Sequence, residues 1–429
     1  MKIEFFASII IVLLMISPEA FSSEQKNSAI KTLDSGLTVL FNKKSWPSVV
    51  MVLSVKVGSI YDTKSGISHY LEHMIFEGTE GLKAYEIMQK IENLGGWANA
   101  MTGLDFTDYL IKVPKESWKA GAELFFESIF APSLTQEGVE KERGIIMDEA
   151  GNAWNMPDYR LQEALFDAAY KVHPYKRMVI GTEESISSIT REDIASYYNR
   201  YYKPSNMVLV VLGDIEEKDL ISVVGSSEPS KFSKTDIPDV QEEPPQRENR
   251  EVVLKSPEIN DGRMILAYRS AGYASEDAYP LTLLSYALGS GSSSKLYLSM
   301  VRNGNAKLVS VSPGVMRDPG LFTVYLTFDD GAEEVKKSLL EEMENLNVTQ
   351  KDLDRAKAQF KTGMLQLTMG GQLDYLEAIQ RAHTYHELGM SLEEYMNEML
   401  QVSLDEISKA ADNHFNYYTA VIMVPEEKK

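Results

Sequence analysis

"TREDIASYYNRYYKPSNMVLVVLGDI" (190–215) and "SLDEISKAADNHFNYYTAVIMVPEE" (403–427) align without a gap at an offset of 213 residues. Each opens with Thr or Ser ahead of acidic residues, a helix N-terminal signal, and closes on a β-prone apolar run. Those runs are Met207–Leu212 and Ala420–Val424. The same offset pairs "VMVLSVKVGS" (50–59) with "RMILAYRSAG" (263–272), a strand in both, and at 214 "TQEGVEKER" (135–143) faces "TQKDLDRAK" (349–357). The chain therefore reads as a duplicated unit of about 200 residues. The expected domains are 31–225 and 250–425, joined by a linker at 226–249 that is rich in proline and charge. Each unit runs strand, strand, helices, then a helix and a final strand. The expected class is α+β, two homologous domains that each pack helices on a mainly antiparallel sheet.

The N-terminus departs from this pattern. "MKIEFFASIIIVLLMISPEAFSSEQKNS" has a short polar start, an apolar stretch from Phe5 to Ser17 and small residues after it, the outline of a secretory leader. The expected leader is 1–22, with a cut between Ser22 and Ser23. Its apolar stretch falls short of the roughly 20 residues that span a bilayer, so no stable membrane span is expected. The expected location is outside the cytoplasm: periplasmic in a Gram-negative bacterium, otherwise secreted. The chain has no cysteine, so its stability rests on packing rather than disulfides. A formal net charge of −20 disfavours nucleic acid and anionic lipid, and would draw basic peptides toward an acidic cavity.

Of only six histidines, two lie four apart in "HYLEHMIFEGT" (69–79). On a helix, His69 and His73 share a face and can offer two imidazoles to one ion. Glu72 is close enough to reach a water on that ion without binding the ion itself. The helix has a start signal near Ser65–Gly66 and a stop at Gly78. Catalytic zinc needs a third protein ligand and an open position. The candidates lie in "EKERGIIMDEAGNAWN" (140–155), where Glu142 and Glu149 are two helical turns apart on one face. One of them can bind metal while the other holds a ligand histidine.

The duplication supplies an internal control. His69, Glu72 and His73 face Thr282, Ser285 and Tyr286 in the second copy, and Glu142 and Glu149 face Ala356 and Gly363. The copy that kept the scaffold kept none of these groups, which argues that they serve chemistry rather than folding.

Through "HYLEHMIFEGT", "GGWANAMTGLDFTDY", "ERGIIMDEA" and "HPYKRMVIGTEESISSITREDIASYYNRYYKPSNMVLVVLGDI", the chain resembles the pitrilysin and insulinase family of inverzincin zinc metallopeptidases. It is most similar to the half-length branch that includes the mitochondrial processing peptidase subunits, over essentially all of 31–425. The resemblance implies a clamshell half with one Zn2+ per chain. His69, His73 and Glu149 would be its ligands, Glu149 meeting the family's spacing where Asp148 does not. Glu72 would be the general base and Glu142 the carboxylate behind a ligand histidine. "GGWANAMTGLDFTDYLIKVP" (95–114) looks like the family's substrate strand, a sheet edge to which a peptide adds, with Asn99 and Ala100 beside the peptide backbone. His173 is expected to order the loop around "HPY", and His414 to sit at a helix end. His383 and His386 are three apart on an expected helix, with no acidic third ligand of comparable support for a second metal.

One part of the family pattern is broken. Many relatives place an arginine and, seven residues later, a tyrosine in the second half, where both reach the substrate. Arg302 fills the first position and Val309, which cannot donate a hydrogen bond, fills the second. The implied function is an endopeptidase subunit acting on short or unstructured peptides, paired with a paralogous chain that supplies the Arg/Tyr pair. A homodimer with another donor is the second arrangement, and a poor or specialised peptidase the third explanation. The competing class is a non-catalytic scaffold or chaperone-like homologue in a larger complex.

Overall fold

The computed structural model describes residues 28–227, 229, 233–369, 371 and 374–426. The expected leader lies outside the described residues, as do four positions of the linker. Two sheets carry the fold. The first is built from β1 (Ser28–Thr32), β2 (Thr38–Lys43), β3 (Ser48–Val55), β4 (Trp97–Thr102), β5 (Thr107–Pro114) and β6 (Met207–Gly213), in the order β1-β2-β6-β3-β5-β4. The second contains β7 (Arg250–Ser256), β8 (Gly262–Arg269), β9 (Leu308–Ser312), β10 (Leu321–Phe328) and β11 (Tyr418–Pro425), in the order β7-β11-β8-β10-β9. Without β1 the two orders correspond strand for strand. In each sheet one pair, β2–β6 or β7–β11, is parallel and the other pairs are antiparallel. The repeat seen in the sequence is thus a repeat of topology.

Burial explains why β6 reads as an unbroken apolar run. All seven residues of MVLVVLG are buried, because helices cover both faces of the sheet there. The helices that do this are exchanged between the halves. The first half contributes α1 (Ile67–Ile75), α2 (Gln136–Trp154) and α3 (Pro157–Ala169), and the second α4 (Ala278–Gly289), α5 (Gln350–Thr368) and α6 (Asp374–Leu388). Helix α3 lies against β7, β8 and β11 of the second sheet, with Leu161 and Leu165 in one core with Ile265, Val421 and Met423. Helix α6 crosses back onto the first sheet, where Ala378 and Ala382 pack on Leu40, Val50, Val52, Leu110 and Val210. All strands of the first sheet precede the linker and all of the second follow it, but each sheet takes an outer helix from the other half. Packing units therefore do not coincide with the segments 31–225 and 250–425.

Polar networks accompany the exchange. Arg381 on α6 is buried between Glu377, at 2.8 Å, and Glu393, at 2.7 Å, and Lys44 reaches Glu377 at 3.1 Å. A second network joins the "HPY" loop to the second half. The His173 Nδ1 accepts from the Tyr175 N–H at 3.2 Å, so its Nε2 carries the proton and donates to Asp318 at 3.1 Å. Arg317 donates to the same Asp318 oxygen at 2.6 Å.

Burial works to raise the Asp318 carboxyl, but His173 and Arg317 more than reverse this, to about 2. Its folded value lies below the unfolded one, so the stability it contributes is present above about 4 and is lost as pH falls toward about 2. Asp318→Asn is expected to destabilise the chain by about 1–2 kcal/mol at pH 7, discounting for partial exposure. The gap should narrow between about pH 4 and pH 2 in urea denaturation; an equal gap throughout would remove the electrostatic account.

Candidate metal centre

Helix α1 begins after Gly66, whose φ of +91° belongs to the left-handed region. A Cβ there would stand 2.8 Å from the Ile180 carbonyl oxygen, so glycine is required twice over. The Asp62 carboxylate closes the helix start by accepting from the Gly66 N–H at 2.7 Å and the Ser68 N–H at 3.2 Å. Burial pushes that carboxyl up to about 7 despite these bonds. The helix ends at Ile75, three residues short of Gly78. Ile67, Tyr70, Leu71, Met74 and Ile75 fill the core, which leaves positions 69, 72 and 73 on the remaining face. The Tyr70 hydroxyl donates to the Val139 carbonyl at 2.5 Å and ties α1 to α2. Helix α2 starts at the Thr135 cap, whose side chain accepts from the Gly138 N–H, and carries Glu142 and Glu149 toward α1.

His69, His73 and Glu149 converge, one ligand atom from each lying within 4.8 Å of the others. The His73 Nε2 is 3.5 Å from one Glu149 oxygen and the His69 Nε2 3.9 Å from the other. Ligand atoms around tetrahedral zinc stand roughly 3–3.5 Å apart, so small side-chain rotations suffice, and two imidazoles with one carboxylate form a zinc donor set. The residues present fit that ion. Buried Glu142 accepts from the His73 Nδ1 at 2.9 Å, fixing the tautomer that leaves Nε2 free to ligate. The His69 Nδ1 is buried with no hydrogen-bond partner among the described residues. Asp148 is exposed and outside the cluster.

The electrostatics favour a cation here. Burial and the neighbouring His73 hold His69 down at about 4. Burial also opposes a proton on His73, but Glu142 and Glu149 overcome it and raise His73 to about 10. The proton that sits there without metal is one that metal must displace. Glu72 is raised by burial, partly offset by the Thr102 hydroxyl, which donates to it at 2.5 Å. Thr102 was not foreseen in the sequence, where a threonine at the end of a β-prone stretch reads as strand propensity. It ends β4, an edge strand that among the described residues pairs only with β5. On that strand Asn99 is exposed and Ala100 half-buried.

The second copy has turned inward at the matching positions. Thr282 and Ser285 on α4 donate to carbonyls of their own helix, and Tyr286 meets Phe360 of α5 edge-on. Arg302 is exposed after a π-helical turn, Tyr297–Val301, and no hydrogen bond or ion pair links it to the cluster among the described residues. Val309 is half-buried on β9 against the second core. The other histidines have structural partners. His383 lies 2.8 Å from Asp108, His386 3.1 Å from the Ser54 carbonyl, and His414, at a helix end, near Asp277 and the Arg269 carbonyl.

Residues 37–183 match the insulinase (peptidase family M16) model, and residues 188–360 match that of the peptidase M16 inactive domain, together about three quarters of the chain. The chain belongs to peptidase family M16, at the family's half length. An uncharacterized zinc protease of Rickettsia felis is 27% identical over 410 residues, 93% of this chain and 98% of that one. The mitochondrial-processing peptidase subunit beta of Lentinula edodes is 26% identical over 410 residues, 90% and 87% of the two chains. The crystal structure of a protease from Helicobacter pylori superposes with a TM-score of 0.82 at 26% identity, covering 93% and 99%.

Proposed function

We propose that the chain is a zinc-dependent endopeptidase subunit that hydrolyses short or unstructured peptides. The observation that carries this reading is the Glu72–Thr102 hydrogen bond. It sets a carboxylate of raised pKa between a His–His–Glu group and the open edge of β4. His69, His73 and Glu149 would hold the zinc, which supplies Lewis acidity toward a water and a peptide carbonyl when bound. Glu72 then takes a proton from the attacking water and delivers it to the leaving amine. Thr102 holds that carboxylate in place, and the unpaired groups of β4 beside Asn99 and Ala100 align the peptide backbone. Glu142 keeps His73 in the ligating tautomer. Glu142→Gln is expected to weaken zinc binding about 10- to 100-fold with the fold intact, read by competition with a chelator.

The reading extends to a paired assembly outside the cytoplasm. Val309 cannot supply the hydrogen bond that a tyrosine would, and one relative is by name a subunit, which supports a second chain that brings an Arg/Tyr pair, with Arg302 contributing from this one. The leader-like first 22 residues support export, and the net charge of −20 supports basic peptides among the substrates. Among the described residues no helix is long and apolar enough to cross a membrane. The test is turnover of a mixed pool of unstructured peptides by the zinc-loaded chain, alone and with whatever chain co-purifies. Zinc-dependent cutting in either sample supports the reading; zinc bound with no cutting in both would leave a non-catalytic scaffold.

A further inference from the structure

Strand β4, WANAMT, is an edge with no charged residue and no proline, although exposed edges are ordinarily blunted by such residues. Its side chains alternate. Trp97, Asn99 and Met101 share one face, while Ala98, Ala100 and Thr102 share the other, where Ala98 and Ala100 meet the main core. Trp97 is 37% exposed, so the largest side chain on this edge is not spent on the core. Its ring meets Tyr375 edge-on, with centroids 5.7 Å apart and planes at 90°. Tyr375 lies in the first turn of α6, the helix that the second half lends to this sheet. Across the strand pair Trp97 faces Lys112, whose ammonium is held by Asp374 at 2.6 Å and by the Gly371 carbonyl at 2.7 Å. The result is an aromatic shelf at the end of β4 remote from Thr102 and Glu72, made jointly by the two halves.

We infer that Trp97, backed by Tyr375, is a specificity subsite for a large apolar side chain of the bound peptide, preferably aromatic. The inference rests on the peptidase reading above for its occupant, a peptide added to β4 as a further strand. The peptide residue opposite Trp97 shows its side chain on the same face, with Cβ atoms about 4.5–5.5 Å apart. Asn99 is two positions along and Thr102 five, or roughly 7–17 Å at ~3.3 Å per residue. The selected side chain therefore lies two to five residues from the cleaved bond, always on the same side of it. Asp374 neutralises Lys112 beside the shelf, so no unpaired charge is directed at it and this subsite selects on apolar character, even though the net charge of the chain favours basic peptides.

Binding is best read in the Glu72→Gln chain loaded with zinc, so that the answer does not depend on turnover. The probes are dye-labelled ten-residue peptides of glycine, serine and asparagine that carry one phenylalanine or an alanine in its place, followed by fluorescence anisotropy. The phenylalanine peptide should bind about three- to tenfold tighter. Adding Trp97→Ala should bring that ratio to about one, and Trp97→Phe should keep most of it, which separates loss of the ring from loss of the fold. A ratio near one before Trp97 is changed, or a ratio that survives Trp97→Ala, overturns the inference. In digests by the unsubstituted chain the cut should fall two to five residues to one constant side of the phenylalanine; cuts on both sides equally would also overturn it. A Trp97-dependent preference in a zinc-loaded chain that cuts no peptide, alone or with the chain that co-purifies, would sink the peptidase reading and leave the subsite standing.

Discussion

Glu72→Gln is expected to lower peptide turnover by about 10²- to 10⁴-fold while the chain keeps its zinc. Glutamine matches glutamate in size and can still accept from Thr102, whose hydroxyl lies 2.5 Å from the carboxylate, so the helix and its two histidines should be undisturbed. It cannot take a proton from water. The control is within the same experiment: zinc content, thermal unfolding and peptide affinity should match the unsubstituted chain. A variant that retains more than about a tenth of the turnover would remove Glu72 from the role of base.

Arg381→Met is expected to destabilise the chain by about 3–5 kcal/mol. Arg381 is 4% exposed and Glu377 fully buried, and one Glu377 oxygen already lacks a hydrogen-bond partner among the described residues. Burial works against the charge on Arg381, and the two glutamates more than restore it, holding its pKa above the ordinary value. Without the guanidinium, the buried Glu377 and Glu393 carboxyls lose their shared partner, with Lys44 as a neighbouring cation. Urea denaturation measures the loss, and replacing Glu377 by Gln in the same chain should recover part of it, since the uncompensated anion causes most of the cost. A loss below about 1 kcal/mol would mean that water reaches the cluster. Because α6 spans the two halves, this variant also tests whether the exchanged helix holds the first sheet to the rest of the chain.

The duplication was legible because helix signals and apolar runs recur at one offset over long stretches, and the matching strand orders follow from it. His69, Glu72 and His73 were legible because helical spacing puts them on one face, and Glu142 and Glu149 because seven residues make two turns. The helix exchange was not legible. Small residues such as Ala378 and Ala382 mark an apolar face, but periodicity does not say which sheet covers it. Asp62 was missed as well, since a carboxylate four residues before Gly66 is a common surface residue until the fold buries it. The bond from Thr102 depends on strand register, which apolar patterning fixes only to within the face it presents.

Zinc stoichiometry tests the central claim most directly, because it depends neither on a partner chain nor on the choice of peptide. Elemental analysis of the purified chain, after exposure to zinc and removal of excess, should give one zinc per chain. It should give only trace metal for a His69→Ala, His73→Ala double variant that unfolds at a similar temperature. Equal zinc in the two proteins, or none in either, would contradict the assignment of this cluster as a metal centre.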